Sequence, residues 1–361
     1  MGTDGVLLAS NRAFVPGMRL PELNLSHICS LTDDTGIIQH ALYTIPNRKE
    51  GYCIDDNARA LFLTVCACRS REDPIARRLL SIYLSFIHYM QTEDGYFINF
   101  LSYSRIGLEV RGSEDSFGRT IMALGYLVNE SPSSSLAHVG LRIFEKAFQH
   151  IDHLRSLRGI ANALIGLCQF FKCSSLGDDD QQRLTCLAGK LVALYKVNRE
   201  DHWQWFEPIL AYDNAMLPLS LLHAYEITGT NEYLQIAMEA TYFLESKVWH
   251  DGVLRPIGNQ GWCRKNGVSA QFDQQGIDAM AMVLLYHQVF RLTREQQYLH
   301  KMYKSYQWFV GDNDMGLSLY DPSTGGCSDG LQDGRINLNQ GAESTLAYWI
   351  SHFIVAAAMV E

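Results

Sequence analysis

The clearest signal of architecture is Cys53-Ile54-Asp55-Asp56-Asn57-Ala58-Arg59, in which polar residues open an apolar helical run that continues to Arg69. Five further polar clusters open apolar runs in the same way: Ser113 to Arg119, Arg155 to Gly159, Tyr212 to Asn214, Phe272 to Gly276, and Asn339 to Glu343. The clusters recur at intervals of roughly 45 to 65 residues, the length of a helical hairpin with its loops, which indicates an internal repeat of helix pairs. If the helices close into a ring, all six clusters meet at one end of it.

Apolar periodicity predicts eleven helices along the chain. They are 58–69, 76–90, 121–128, 141–150, 160–171, 184–195, 216–227, 233–246, 277–290, 298–310 and 344–359. A twelfth is expected within 26–44, where Gly36 to Leu42 has helical spacing. Short turns alternate with long aromatic loops such as Asp201 to Phe206 and His250 to Arg255, which read as turns leading into short strands. Twelve helices make six hairpins, with one functional mouth on the side of the long loops.

Composition predicts one domain over residues 1–361, with residues 1–25 as an irregular N-terminal arm. The hydrophobic content of 47% is ample for a continuous core. A net charge of -9 disfavours nucleic acid as a partner. The nine cysteines are odd in number and lie mostly in apolar runs, which favours a reducing cytoplasm, and their spacing does not match a zinc site. We therefore expect no metal and no cofactor, and no apolar run is long enough to span a membrane.

Four stretches carry a resemblance to a known family: Leu31 to Gly36, Gly51 to Leu61, Ala211 to Met216, and Asn337 to Thr345. The chain resembles the (α/α)6 toroids of carbohydrate-active enzymes over nearly its whole length. These stretches are similar to the helical domain that bacteria often carry behind or beside GT-B glycosyltransferases. The resemblance implies an all-α (α/α)6 toroid with short β-hairpins in its long loops, an oligosaccharide or glycan end as substrate, and a separately encoded glycosyltransferase as a possible partner. It also suggests mannose-containing substrates.

Paired carboxylates at the mouth suit glycoside cleavage, which needs a proton donor at the leaving oxygen and a second carboxylate that activates water or attacks the sugar. The candidate catalytic residues are Asp56, Asp115, Asp273 and Glu343. The candidate substrate-binding residues are Asp55, Arg59, Glu114, Arg119, Arg158, Trp203, Trp205, Tyr212, Asp213, Trp262, Asn339 and Gln340. By analogy with toroid glycosidases, we expect inversion at the anomeric carbon.

Several of these residues also have a structural interpretation. Each acid could cap its helix. Because Asp55 and Asp56 are adjacent, they point about 100° apart, so one is expected to act while the other binds or caps. Arg59 and Arg119 each follow an acid by four residues, a spacing that favours an ion pair within one helix over sugar or phosphate binding. Asp278 is a further candidate partner in the pocket. The helix histidines His223 and His287 are expected in the core.

Three other functions are compatible with the sequence. A phosphorylase would need one catalytic carboxyl, with Arg158 and Arg119 holding inorganic phosphate. A sugar epimerase or isomerase of the same fold would use histidines at the inner helix ends as bases, and carboxylates outnumber histidines there. A glycan-binding module that serves a glycosyltransferase would keep the aromatic residues without an acid/base pair.

Overall fold

Twelve α-helices alternate between two layers in the computed structural model, which describes residues 20–174 and 177–360. They are α1 (Ser26–Leu31), α2 (Ile54–Ser70), α3 (Pro74–Met90), α4 (Glu114–Glu130), α5 (Ser134–Phe148), α6 (Leu157–Cys173), α7 (Asp178–Asn198), α8 (Met216–Thr228), α9 (Asn231–Val248), α10 (Gly276–Thr293), α11 (Gln296–Gln307) and α12 (Ala342–Ala358). Each even-numbered helix packs against the next one, and α12 packs back against α2. The even-numbered helices therefore form a closed inner ring, and the odd-numbered helices pack outside it.

Hydrophobic patterning accounts for the two layers. The inner helix α10 is buried at almost every position from Gly276 to Phe290. The outer helix α5 buries only one stripe, which consists of Gly140, Ile143, Phe144 and Ala147. A helix that is apolar on all sides is buried, whereas one with a single apolar stripe covers a core.

Glycines bring α4 and α6 unusually close together. A methyl group added at Gly118 would lie 2.2 Å from the carbonyl oxygen of Gly159, and one added at Gly125 would lie 2.2 Å from that of Gly166. The two helices therefore contact each other backbone to backbone, which places the polar residues that open them side by side.

Short strands lie in the connections that lead into the inner helices. They are β1 (Ala41–Leu42), β2 (Ile45–Pro46), β3 (Tyr52–Cys53), β4 (Phe100–Leu101), β5 (Ile209–Leu210), β6 (Trp249–His250), β7 (Val253–Leu254), β8 (Cys263–Arg264), β9 (Gln274–Gln275), β10 (Tyr320–Asp321), β11 (Gly326–Cys327), β12 (Gly330–Gln332) and β13 (Arg335–Asn337). All pairings are antiparallel: β1 with β2, β3 with β4, β5 with β8, β6 with β7, β10 with β11, and β12 between β13 and β9. Strands β3 and β9 run directly into α2 and α10, and so fix where those helices begin.

The eleven helices predicted from periodicity are all present, and most begin earlier than predicted. The predicted twelfth is α1, but the segment Gly36 to Leu42 is not helical. The carboxamide of Asn57 on α2 instead accepts a hydrogen bond from the backbone N–H of Ile37 at 3.0 Å, which holds this segment extended against α2. Of the predicted N-terminal arm, residues 1–19 lie outside the described residues, and residues 20–25 have no regular secondary structure. No helix in the described ranges is long and apolar enough to cross a membrane.

Candidate functional site

The first turns of the six inner helices, with the connections leading into them, form one end of the ring, which we call the mouth. Two acids stand in the first turn of α2, where the thiol of Cys53 caps the helix by accepting the backbone N–H of Asp56 at 3.4 Å. Ser113 and Ser156 cap α4 and α6 in the same way through their hydroxyl groups. Side chains can satisfy these backbone groups without the doubled acids, so the acids are available for other contacts.

Arg59 connects α2 to α12 at the mouth. Its Nη1 donates to Oδ1 of Asp56 at 2.9 Å, and its Nη2 donates to Oε2 of Glu343 at 2.8 Å. The side chain of Arg59 is 5% exposed, whereas that of Glu343 is 44% exposed. A buried guanidinium therefore orients a carboxylate that solvent can reach.

Asp56 lies behind Arg59 and away from solvent. Its second oxygen accepts a hydrogen bond from the thiol of Cys53 at 3.1 Å. Burial raises the pKa of Asp56 to about 6, with Arg59 opposing the rise and Glu343 adding to it. Asp56 thus holds Arg59 in place, and its 3% exposure leaves it little access to a substrate, in contrast to the predicted catalytic role.

Arg119 makes a second bridge, from α4 to its neighbour α2 and, across the mouth, to the loop that precedes α8. Its Nε donates to Oδ1 of Asp55 at 2.8 Å, and its Nη1 and Nη2 both donate to Oδ2 of Asp213 at 3.3 Å. The expected ion pair between Arg119 and Asp115 does not form. Arg59 does pair within its own helix, with Asp56 in place of Asp55. Both arginines therefore serve mainly to join helices.

Two buried acids lie side by side next to Arg119. The backbone N–H of Asp213 donates to Oδ1 of Asp278 at 2.8 Å. Burial raises the pKa of Asp213, which Arg119 opposes, and burial also raises the pKa of Asp278, to which the charge of Asp213 adds. The two acids therefore disfavour each other's ionisation, and Asp278 lies at the mouth beside Asp213.

Arg158 anchors the loop that precedes α8. Its Nε donates to the backbone oxygen of Tyr212 at 3.0 Å, its Nη1 to Glu207, and its Nη2 to Oδ1 of Asn214 at 3.3 Å. The guanidinium is therefore committed to protein groups. Sequence reasoning does not find Glu207, because this acid lies within an aromatic loop and shares no spacing with the other clusters.

The two acids that open α4 have different surroundings. Asp115 accepts hydrogen bonds from the hydroxyl groups of Tyr212 and Ser156, one on each carboxylate oxygen. Glu114 accepts the backbone N–H groups of Arg155 at 2.6 Å and of Ser156 at 2.5 Å. Glu114 therefore fixes the chain entering α6, and only Asp115 of this pair contacts side chains of the mouth.

Asp273 precedes α10 on the far side of the ring from α4. Its Oδ2 lies 3.5 Å from Nε2 of Gln332, and its Oδ1 is buried with no hydrogen-bond partner among the described residues. A buried carboxyl oxygen in this state has no protein group within the described residues that competes for it.

The aromatic residues differ in part from the prediction. Tyr212 and Trp262 stand together at the mouth, with ring centroids 6.4 Å apart, and both are partly exposed. Trp203 and Trp205 are 2% and 0% exposed, so neither presents a face to a sugar. Their rings pack on Phe243, at centroid distances of 5.0 and 6.1 Å, because this long loop folds back onto α9.

Asn339 and Gln340 are also placed differently from the prediction. Oδ1 of Asn339 accepts the backbone N–H of Tyr43 at 2.9 Å. The carboxamide of Gln340 bonds Thr324 at 2.9 Å and Asp321 at 3.0 Å. Both side chains hold loops together before α12. Within the described ranges, no group of three or more His, Cys, Asp or Glu side chains is arranged to hold a metal ion.

Comparison with known proteins identifies the architecture. No protein-family model matches the sequence, and no curated protein matches it significantly. Among solved structures, a sugar epimerase from a ruminal bacterium aligns with a TM-score of 0.71 and 10% identity over 92% of this chain and 95% of that one. The cellobiose 2-epimerase from Bacillus thermoamylovorans aligns at 0.69 and 12% over 92% and 95%. A GH76 α-mannanase from Bacteroides thetaiotaomicron aligns at 0.63 and 11% over 92% and 93%. At these identities the likeness shows the fold alone, and that fold is the all-α (α/α)6 toroid.

Proposed function

We propose that this protein is a carbohydrate-active enzyme that hydrolyses a glycosidic bond in a small oligosaccharide or at a glycan end. The observation that carries the proposal is Glu343: its half-exposed carboxylate is held at 2.8 Å by the buried guanidinium of Arg59, which Asp56 holds from behind. An oriented carboxylate beside a fixed positive charge is suited to take a proton from water or to attack a sugar carbon.

Asp273 is our candidate for the general acid. Its Oδ1 has no hydrogen-bond partner in the described structure, so it can carry the proton that the leaving oxygen needs. In the proposed reaction this proton passes to the leaving oxygen, the glycosidic bond breaks, and water adds to the sugar while losing a proton to Glu343. Asp115 is less suited to this role, because hydroxyl groups already occupy both of its oxygens.

Charge placement favours hydrolysis over the two enzymatic alternatives. A phosphorylase needs cationic donors for phosphate, but Arg119 and Arg158 are committed to Asp55, Asp213 and Glu207. An epimerase of the expected kind uses histidines at the mouth-side ends of the inner helices, whereas His223 and His287 lie toward the other ends of their helices, α8 and α10. The resemblance of the sequence and the GH76 α-mannanase among the structural neighbours make manno-oligosaccharides the first substrates to test.

Product analysis tests the proposal. The purified protein is incubated with manno-, gluco- and galacto-oligosaccharides, with and without inorganic phosphate. We expect free reducing sugar in both arms, and a loss of about 10²- to 10⁴-fold in turnover for Glu343→Gln and for Asp273→Asn. Glu145→Gln and Asp179→Asn, at exposed positions on the outer helices α5 and α7, are the matched controls.

Three outcomes would overturn hydrolysis, and a fourth would overturn the assignment of its residues. Sugar phosphate formed only in the phosphate arm would identify a phosphorylase. Deuterium uptake from heavy water into a free sugar, without cleavage, would identify an epimerase. Binding without product would favour a glycan-binding module serving a glycosyltransferase. Full turnover in both carboxylate variants would remove Glu343 and Asp273 from the mechanism.

A further inference from the structure

The end of the ring opposite the mouth contains a cavity of about 660 Å³. We call this end the base. The cavity is lined by residues from all six inner helices, mostly from their C-terminal halves. Its volume falls within the range of small-molecule binding sites, which are typically about 300 to 1,000 Å³.

The cavity extends inward to the residues that follow Arg59 and Arg119, the two arginines that join helices at the mouth. Phe62 and Met122 line it, and each stands one helical turn after Arg59 and Arg119 respectively. The arginines and their acid partners lie on the mouth side of these apolar residues. The base cavity is therefore a compartment distinct from the carboxylate cluster.

The deep walls are apolar, with a buried polar group among them. Ile165, Leu219, Leu284 and Phe353 contribute to the walls. His223 also lines the cavity; its Nδ1 has no hydrogen-bond partner among residues 20–174 and 177–360 and lies 3.7 Å from the nearest Glu226 oxygen. Burial lowers the pKa of His223, so the ring is neutral near pH 7. A buried ring nitrogen that makes no hydrogen bond within the described residues is a group that a ligand can satisfy.

Cations predominate among the charged residues that line the cavity. Arg69, Lys172 and Arg291 line it together with Glu130, and Glu226 contacts two of these cations, so three cations stand against two carboxylates. Arg69 pairs with Glu130 at 2.7 Å, while Lys172 and Arg291 both donate to Glu226, at 2.9 and 3.2 Å. An ammonium carries three N–H donors and a guanidinium five, so these side chains have more donors than their two acid partners use. Arg69, Lys172 and Arg291, which we call the rim of the cavity, can therefore donate hydrogen bonds to an acceptor on a ligand.

We propose that the base cavity binds an anionic amphiphile, with an aliphatic body between the apolar walls and a carboxylate head toward Lys172 and Arg291. An apolar chamber with a few polar donors at one edge is the usual design of such a site. The positive rim belongs to a chain whose net charge is -9, so it is a local feature and not a consequence of overall composition. The site is independent of the proposed glycosidase activity, because the polar residues that carry it, Lys172, His223 and Arg291, all lie outside the mouth.

Titration calorimetry with three ligands of equal chain length tests the proposal: octanoate, octanol and octylammonium. We expect saturable binding of octanoate, at least tenfold tighter than that of octanol, and no binding of octylammonium. Arg291→Gln should weaken octanoate binding and leave octanol binding unchanged. Equal binding of octanoate and octanol, or preference for octylammonium, would overturn the assignment of an anionic head.

A variant that blocks the opening of the cavity tests where the ligand binds. Ala357 is exposed in the last turn of α12 and lines the opening, so Ala357→Trp should block it without disturbing the core. Val197→Trp, at an exposed position on the outer helix α7, is the matched control. We expect at least a tenfold loss of octanoate affinity in the first variant and none in the second, with circular dichroism confirming that both fold. Unchanged affinity in Ala357→Trp, or no saturable binding by the wild type, would refute the site.

Discussion

Arg59 donates to Glu343 at 2.8 Å, and this contact joins the first inner helix of the chain to the last. The helices α2 and α12 are neighbours only because the ring closes. Arg59 therefore orients the proposed general base, Glu343, and also helps to keep the ring of helices closed. Structure and activity depend on the same side chain.

Removing Arg59 should destabilise the fold. Arg59→Ala leaves Asp56 buried without its cation, and breaking a buried ion pair by removing one partner costs about 3 to 5 kcal/mol. Equilibrium unfolding in urea measures the loss. Arg142→Ala, on the exposed face of α5, should cost less than about 0.5 kcal/mol.

A lysine at position 59 separates the two roles of this arginine. Arg59→Lys keeps the charge near Asp56 but cannot reach two carboxylates with a planar fork. We expect it to recover part of the stability while leaving turnover low. Wild-type turnover in Arg59→Lys would show that the orientation of Glu343 by Arg59 is not required.

The buried carboxyl of Asp56 should make stability depend on pH. Its pKa of about 6 in the folded protein lies above the ordinary 3.8, so between these values the folded state binds a proton more tightly than the unfolded chain does. This contribution to the free energy of unfolding is fully present below about pH 4 and is lost as the pH rises through about 6. A shift of about two units corresponds to about 3 kcal/mol.

Asp56→Asn removes this titration. Urea unfolding at pH 4, 5, 6 and 7 should show the wild type losing about 3 kcal/mol relative to Asp56→Asn across the range. Asp201→Asn, at an exposed turn, should track the wild type at every pH. Parallel curves for the wild type and Asp56→Asn would mean that folding does not raise the pKa of Asp56.

The sequence predicts the helices better than it predicts their contacts. Periodicity finds α4 only from Ile121, although the helix begins at Glu114, because the first two turns carry charged and small residues that face the mouth or a neighbouring helix. The expected pairing of Arg119 with Asp115 fails for a related reason. Spacing along one helix cannot reveal partners such as Asp55 and Asp213, which only closure of the ring brings together.

The aromatic loops show a second limit of sequence reasoning. Trp203 and Trp262 both lie in long polar connections, and nothing in the residues around them distinguishes a core lid from an exposed face. The difference arises from tertiary packing, since the loop of Trp203 folds over Phe243 while Trp262 stands beside Tyr212.

The contact between α4 and α6 should not tolerate alanine. In an ordinary helix interior, replacing glycine with alanine stabilises by up to ~1 kcal/mol. At Gly125, however, the added methyl would lie 2.2 Å from the carbonyl oxygen of Gly166, so we expect Gly125→Ala to destabilise by about 1 to 3 kcal/mol. Gly189 on α7 has open space around it, and Gly189→Ala should be neutral or stabilising. Thermal unfolding of both variants measures these changes in stability. A stabilised Gly125→Ala would show that α4 and α6 can separate at little cost in free energy.

Tyr212 and Trp262 are the aromatic pair that we expect to contact the sugar. Their rings are 6.4 Å apart and partly exposed, and the hydroxyl of Tyr212 also holds Asp115. Trp262→Ala removes only a stacking face, so KM should rise about tenfold with little change in kcat, since binding that is equal in the ground and transition states affects KM alone. Tyr212→Phe keeps the ring but frees one oxygen of Asp115, so KM should stay near the wild-type value, and a lower kcat would give Asp115 a part in the reaction. Tyr89→Ala, at an exposed position on α3, controls for loss of an aromatic ring.

A lower kcat with unchanged KM in Trp262→Ala would place that indole among the groups that act in the transition state. Unchanged kinetics in both Trp262→Ala and Tyr212→Phe would exclude this face as the sugar-binding surface.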